Sequence, residues 1–242
     1  LPPQREFVQY ETADGVGTIT LDRPPHNAYD PLLHHELELA WRDGARDPDA
    51  RVIVLRATGK HFCAGALLDG TPRLPPADAE RMTEWDELAF VRDLMKPTIA
   101  AVQGGCIGGA QRFVFPCDLI FCSEDAFFRD PLASVGGIGG IQAPIHTWLY
   151  GPRLAKEMLY SGMRLPASRL YAMGAVNRLF PREILHDETA AFAREIARVD
   201  PLALRQAKRA VNTTMDIQGQ HYIRNRFAEL MDASPRLDLG RE

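Results

Sequence analysis

One stretch constrains this chain more than any other. It runs from Lys96 to Gly140, KPTIAAVQGGCIGGAQRFVFPCDLIFCSEDAFFRDPLASVGGIGG. It reads as a buried strand over Thr98–Val102, a turn built on Gly104, Gly105, Gly108 and Gly109, a helix, and a second strand pair. Glycines at a strand-to-helix junction let a ligand approach the backbone closely, and the first helical N–H groups there have no partner within the helix. Backed by the helix dipole, such N–H groups suit an anion, or a carbonyl oxygen that becomes one.

The rest of the chain frames that stretch. Phe7–Glu11 and Val16–Leu21 flank Ala13-Asp14-Gly15 as a hairpin. RPPHNAYDP is a turn, followed by a helix over about 31–44. Val52–Leu55 is a short apolar strand of the kind found in a sheet covered on both faces. The loop HFCAGALLDG follows it, then the proline-rich segment 71–77 and a helix over about 79–94. Beyond Gly140 helices dominate: 142–150, 153–160, 166–173, 182–198, 201–215 and 217–231. Strands first and helices afterwards predict an α/β core over residues 1–180 and a helical region over 181–242.

Composition narrows the function classes. The 242 residues are 45% hydrophobic and 25% charged with a formal net charge of −4, and no basic run occurs, so nucleic acid is not an expected partner. No apolar run approaches a membrane span, and no signal peptide is read before Leu1. Cys63, Cys106, Cys117 and Cys122 lack the paired spacing of a zinc site and sit in apolar surroundings. We read them as buried reduced thiols, with no metal expected and a cytoplasmic location. GGCIGG lacks GxGxxG spacing, which argues against a dinucleotide fold.

Five segments in order, GVGTITLDRPPHNA, VIVLRATGKHFCAGA, KPTIAAVQGGCIGGA, CDLIFCSEDAFF and GPRLAKEMLYSGMRLPASRLYAMGAVNRLFP, resemble the crotonase superfamily, the enoyl-CoA hydratase/isomerase family. The likeness covers nearly the whole chain. It implies a spiral of ββα turns, a helical trimerisation region, homotrimers or dimers of trimers, and acyl thioesters of coenzyme A as substrates, with no permanently bound cofactor. It also implies an oxyanion hole from two backbone N–H groups, which fall at Ala66 in CAGA and Gly109 in IGGA. In a dry pocket each such donor is worth about 3–4 kcal/mol to an enolate. The alternative is that both glycine loops only make tight turns. The coenzyme arm is implied beside Pro25, His26, Ala64, Ala66, Leu67 and Leu68.

The resemblance also exposes departures. Family hydratases hold water between two glutamates, and the matching positions here are Arg112 and Leu132. Arginine stays protonated and leucine has no proton to exchange, so hydration by that route is not expected. Asp130 is the nearest carboxylate to the second position. It serves either as a base or, the reading we favour, in an ion pair with Arg112 or Arg129. Arg112 also suits a substrate carboxylate through two parallel hydrogen bonds. His34 aligns with a histidine, and Tyr29 with an aromatic, of family hydrolases that cleave β-diketones. A plain surface histidine is the simpler reading. His146 reads as a helix residue with a satisfied ring. The resemblance puts Glu84, Trp85 and Asp86 on the helix that lines the acyl pocket, where one of the carboxylates could reach the substrate; solvated side chains are the default reading. The expectation is thus a crotonase-type lyase or isomerase that binds an acyl-CoA thioester and stabilises its enolate. A coenzyme-A-independent β-diketone hydrolase and an inactive acyl-CoA-binding relative stand as alternatives.

Overall fold

The computed structural model describes residues 5–67, 72–77, 79–133, 141–220 and 222–223. In chain order the elements are β1 (Val8–Ala13), β2 (Val16–Leu21), α1 (Pro31–Arg46), β3 (Val52–Ala57), α2 (Glu84–Arg92), β4 (Thr98–Val102), β5 (Gly105–Ile107) and α3 (Gln111–Val114). They continue with β6 (Leu119–Ser123), β7 (Phe127–Arg129), α4 (Gln142–Ser161), β8 (Leu165–Pro166), α5 (Ala167–Ala172), β9 (Arg178–Phe180), α6 (Leu185–Ala197) and α7 (Pro201–Ile217).

The hairpin β1–β2 turns on Asp14 and Gly15, both at positive φ (52° and 79°), the twist that two-residue hairpin loops need. From β2 onward the main sheet is parallel, in the order β1-β2-β3-β4-β6-β9. A second sheet, β5-β7-β8, sets β5 parallel to β7. The result is a mixed α/β fold, as the resemblance implies.

Alternation along β3 shows why the apolar run was legible. Ile53 and Leu55 belong to the apolar cluster that holds Leu33, Leu37 and Trp41 of α1, whereas Val52 and Val54 belong to the one that holds Leu185, Ala193 and Ala197 of α6. Both faces are covered, so the strand carries no polar side. Among the described residues no residue of α7 is buried as a whole. It is tied to the core through polar contacts: Lys208 Nζ lies 2.9 Å from Asp118 Oδ2, and the side chain of Asn212 donates to the Arg92 carbonyl at 3.1 Å.

Several predicted helices differ in extent. The helix expected over 79–94 begins at Glu84, because Thr83 caps it by accepting from the Asp86 N–H (3.2 Å). Glu38 meanwhile accepts from the Met82 N–H (3.0 Å) and holds the preceding segment extended. The two helices expected over 142–150 and 153–160 run on as α4, broken where expected by Gly151 (φ 74°) and Pro152. The second glycine cluster and most of the helix expected over 217–231 lie outside the described residues.

Candidate active site

Three loops meet at the carboxyl ends of β2, β3 and β4. The backbone N–H of Ala64 donates to His26 (3.0 Å), that of Tyr29 to Gly65 (2.9 Å) and that of Leu67 to Tyr29 (2.8 Å). Asn27, in the left-handed region (φ 52°), clips the first loop to the second, its Nδ2 donating to the carbonyls of Thr58 (2.8 Å) and His61 (3.0 Å). The second loop is fastened to the turn after β4: Cys63 N–H donates to Gly105 (3.1 Å) and Ile107 N–H to Cys63 (3.1 Å). Gly65 is required at this junction. Its φ is +99°, and a Cβ there would lie 3.2 Å from the Ile107 carbonyl oxygen.

This weave decides which amides are spare. Tyr29 pairs with Ala66 in a parallel bridge whose bonds come from Gly65 and Leu67. The Ala66 N–H therefore points to the opposite side. Gly109 lies in the single 3-10 turn Gly108–Ala110 that opens α3, where N–H groups have no partner within the helix. Among the described residues neither N–H meets a protein acceptor.

Ala66 and Leu67 line an open cleft of about 700 Å³ together with Tyr29, His34, Glu84 and Arg112. Its polar floor is a network. Arg112, 7% exposed, is paired with Glu84 and lies over the rings of Tyr29 (5.0 Å) and Phe113 (5.3 Å). Its Nη2 is 3.4 Å from His34 Nδ1, and His34 Nε2 bonds the buried carboxylate of Glu87. Arginine can only donate, which assigns the imidazole proton to Nε2 and the acceptor role to Nδ1. Burial raises the Tyr29 phenol above its ordinary pKa, with the Arg112 charge opposing.

Several expectations change here. His34 is not a plain surface histidine: its side chain is 20% exposed and engaged at both nitrogens. Arg112 pairs with Glu84, so Glu84 is not merely solvated. Asp130 pairs with neither arginine. It is wholly buried, accepts from the Leu132 N–H (3.2 Å) and lies 3.1 Å from Nε2 of an equally buried His146. Arg129 instead donates to the Gly162 carbonyl (2.6 Å). The His146 ring is satisfied at one nitrogen only, for its Nδ1 has no partner among the described residues. Position 132 follows Asp130 at the end of β7, and Asp130 is not among the residues lining the cleft.

A sequence profile for the family described as enoyl-CoA hydratase/isomerase matches residues 11–234. The chain belongs to that family, the crotonases. Among curated relatives, this crotonase is 34% identical to the putative enoyl-CoA hydratase EchA13 of Mycobacterium tuberculosis, over 90% of this chain and 77% of that protein. It is 35% identical to the (7aS)-7a-methyl-1,5-dioxo-2,3,5,6,7,7a-hexahydro-1H-indene-carboxyl-CoA hydrolase of Rhodococcus jostii, over 82% and 78%. Among solved structures, a probable enoyl-CoA hydratase from Mycobacterium thermoresistibile superposes with a TM-score of 0.81 at 44% identity, covering 90% of this chain and 92% of that one.

Of the residues expected along the coenzyme arm, Pro25 and His26 are exposed on the first loop, and Ala64 and Leu67 are partly exposed on the second. Leu68 lies outside the described residues. The four cysteines are free and buried, and burial raises each thiol, that of Cys63 to about 12. Among the described residues no helix of this crotonase is long and apolar enough to cross a membrane. Sequence reasoning missed Glu87 and Asn27. Glu87 sits three residues after Glu84 on the same helical face, a spacing that could have flagged it.

Proposed function

We propose that this crotonase binds an acyl-CoA thioester in the cleft and places its carbonyl oxygen against the N–H groups of Ala66 and Gly109. Loss of a proton, or of a carboxyl group, next to the carbonyl then leaves an enolate whose charge those donors stabilise. The observation that carries the reading is the pair of spare amides on two loops stitched together at Cys63–Ile107.

Water addition by two glutamates is not part of the proposal. Among the described residues three carboxylates line the cleft, and each is engaged: Asp30 by Arg23, Glu38 by Arg42 and the Met82 N–H, and Glu84 by Arg112. Positions 112 and 132, implied by the resemblance to carry the glutamates, hold arginine and leucine. Glu84, 48% exposed at the cleft rim, is the carboxylate most free to take a proton from a bound acyl chain. An isomerase or decarboxylase needs no second carboxylate, and fits better than a hydratase. A trimeric assembly remains part of this reading through family resemblance.

The test is α-proton exchange. Butyryl-CoA in deuterium oxide should lose its α-proton signal in the presence of the protein, while crotonyl-CoA hydration stays near background. Hydration within tenfold of ordinary family hydratases would contradict the proposal. So would the absence of exchange across a panel of acyl chains.

A further inference from the structure

The arrangement around Arg112 is lopsided. The guanidinium is fixed: its side chain is 6% exposed, it rests on Tyr29 and Phe113, and His34 accepts from one Nη. Its Nε is buried with no partner among the described residues. The anion that neutralises it is not fixed in the same way. Glu84 is the first residue of α2, 48% exposed, and reaches the guanidinium from the cleft rim. Of the other two carboxylates of that turn, Glu87 is buried and already bonded to His34, and Asp86 accepts from the Thr83 hydroxyl at 2.7 Å.

A buried guanidinium without an anion is strongly unfavourable. An uncharged acyl chain therefore has nothing to offset the displacement of Glu84. A carboxylate carried by the substrate does, because one anion replaces another and the local charge is unchanged. Arginine can hold the incoming group through two parallel hydrogen bonds, with the spare Nε as one donor. Arg112 and Ala66 line the same cleft, so a group held by Arg112 shares that space with a thioester whose carbonyl meets the Ala66 N–H.

We infer that the cleft selects acyl-CoA thioesters whose acyl part ends in a second carboxylate, bound by Arg112 in exchange for Glu84. This rests on the thioester reading above and specifies its substrate class. Glu84 is thus an internal stand-in for the substrate carboxylate. Once released, it lies beside the bound acyl chain.

Calorimetric titration with butyryl-CoA, succinyl-CoA and glutaryl-CoA tests it. Succinyl-CoA or glutaryl-CoA should bind at least tenfold more tightly than butyryl-CoA. Glu84→Gln should tighten that dicarboxylic thioester about fivefold further and leave butyryl-CoA within twofold. Arg112→Gln should reduce both dicarboxylic thioesters to the butyryl-CoA level. Should Arg112→Gln fail to fold, the Glu84→Gln comparison decides alone. Equal affinity for butyryl-CoA and both dicarboxylic thioesters overturns the inference and leaves the thioester reading standing, as does a Glu84→Gln effect common to all three. If none binds, the thioester reading falls and this inference falls with it.

Discussion

Gly65→Ala is the substitution that most tightly couples fold and chemistry. Gly65 has φ +99°, where a side chain costs about 1–2 kcal/mol in backbone strain alone. Its new Cβ would also sit 3.2 Å from the Ile107 carbonyl oxygen, a backbone atom that cannot rotate away. Relief requires the two loops to part by a few tenths of an ångström, which adds roughly 1 kcal/mol as overpacking. The expected loss of stability is about 2–3 kcal/mol. Gly108→Ala is the internal control. Its φ is also positive (+56°), but a Cβ there meets nothing within 4 Å, so only the strain of about 1–2 kcal/mol applies. Ala66 follows Gly65, and Gly109 is two residues beyond Ile107, so parting the loops also displaces the two N–H groups from one another. If that sacrifices half of one donor's worth, α-proton exchange slows about tenfold or somewhat more. Urea unfolding of the wild type and both variants, with exchange rates on the same samples, reads both effects. Gly108→Ala costing as much stability as Gly65→Ala, or Gly65→Ala exchanging at the wild-type rate, would refute the reasoning.

Other substitutions probe the same frame. Gly104→Ala would place a Cβ 2.2 Å from the Lys60 carbonyl oxygen at φ +57°, and should cost about 3 kcal/mol or more or abolish soluble expression; a near-normal melting temperature contradicts this. His146→Leu removes the partner of buried Asp130 and should cost about 3–5 kcal/mol, against which a loss below about 1 kcal/mol in urea unfolding would count. Burial tends to raise the Asp30 carboxyl, but bonds from the Leu33 N–H, Arg23 and the Arg73 N–H outweigh it and hold the net value below the ordinary one. A depressed carboxyl stabilises the fold above its unfolded pKa, and that contribution is lost as pH falls through the folded value. The stability gap between wild type and Asp30→Asn should therefore be full near pH 7 and shrink below about pH 4; a gap independent of pH contradicts it.

The parts legible in the sequence were those fixed by local chemistry. Asp14-Gly15 encodes the hairpin turn, the unbroken apolar runs of β3 and β4 encode a sheet covered on both faces, and Gly151-Pro152 encodes the break in α4. The two loops carrying Ala66 and Gly109 were legible because glycine at positive φ leaves its mark in composition. The polar network was not. His34 finds Glu87 across 53 positions and Arg112 finds Glu84 across 28, and such partners are properties of packing rather than of spacing. Asp130 was misread for the same reason: its neighbours in sequence include Arg129, but Arg129 is drawn to the Gly162 carbonyl and leaves Asp130 to His146. The start of α2 was missed because Glu38, from a different helix, holds the Met82 N–H.

Infrared difference spectroscopy of a thioester labelled with carbon-13 at its carbonyl reads the proposed donors directly. A ligand clasped by both the Ala66 and Gly109 N–H groups should show its carbonyl stretch shifted to lower frequency on binding, with much of that shift lost in Gly65→Ala. A bound ligand whose carbonyl absorbs as it does in water would contradict the oxyanion site.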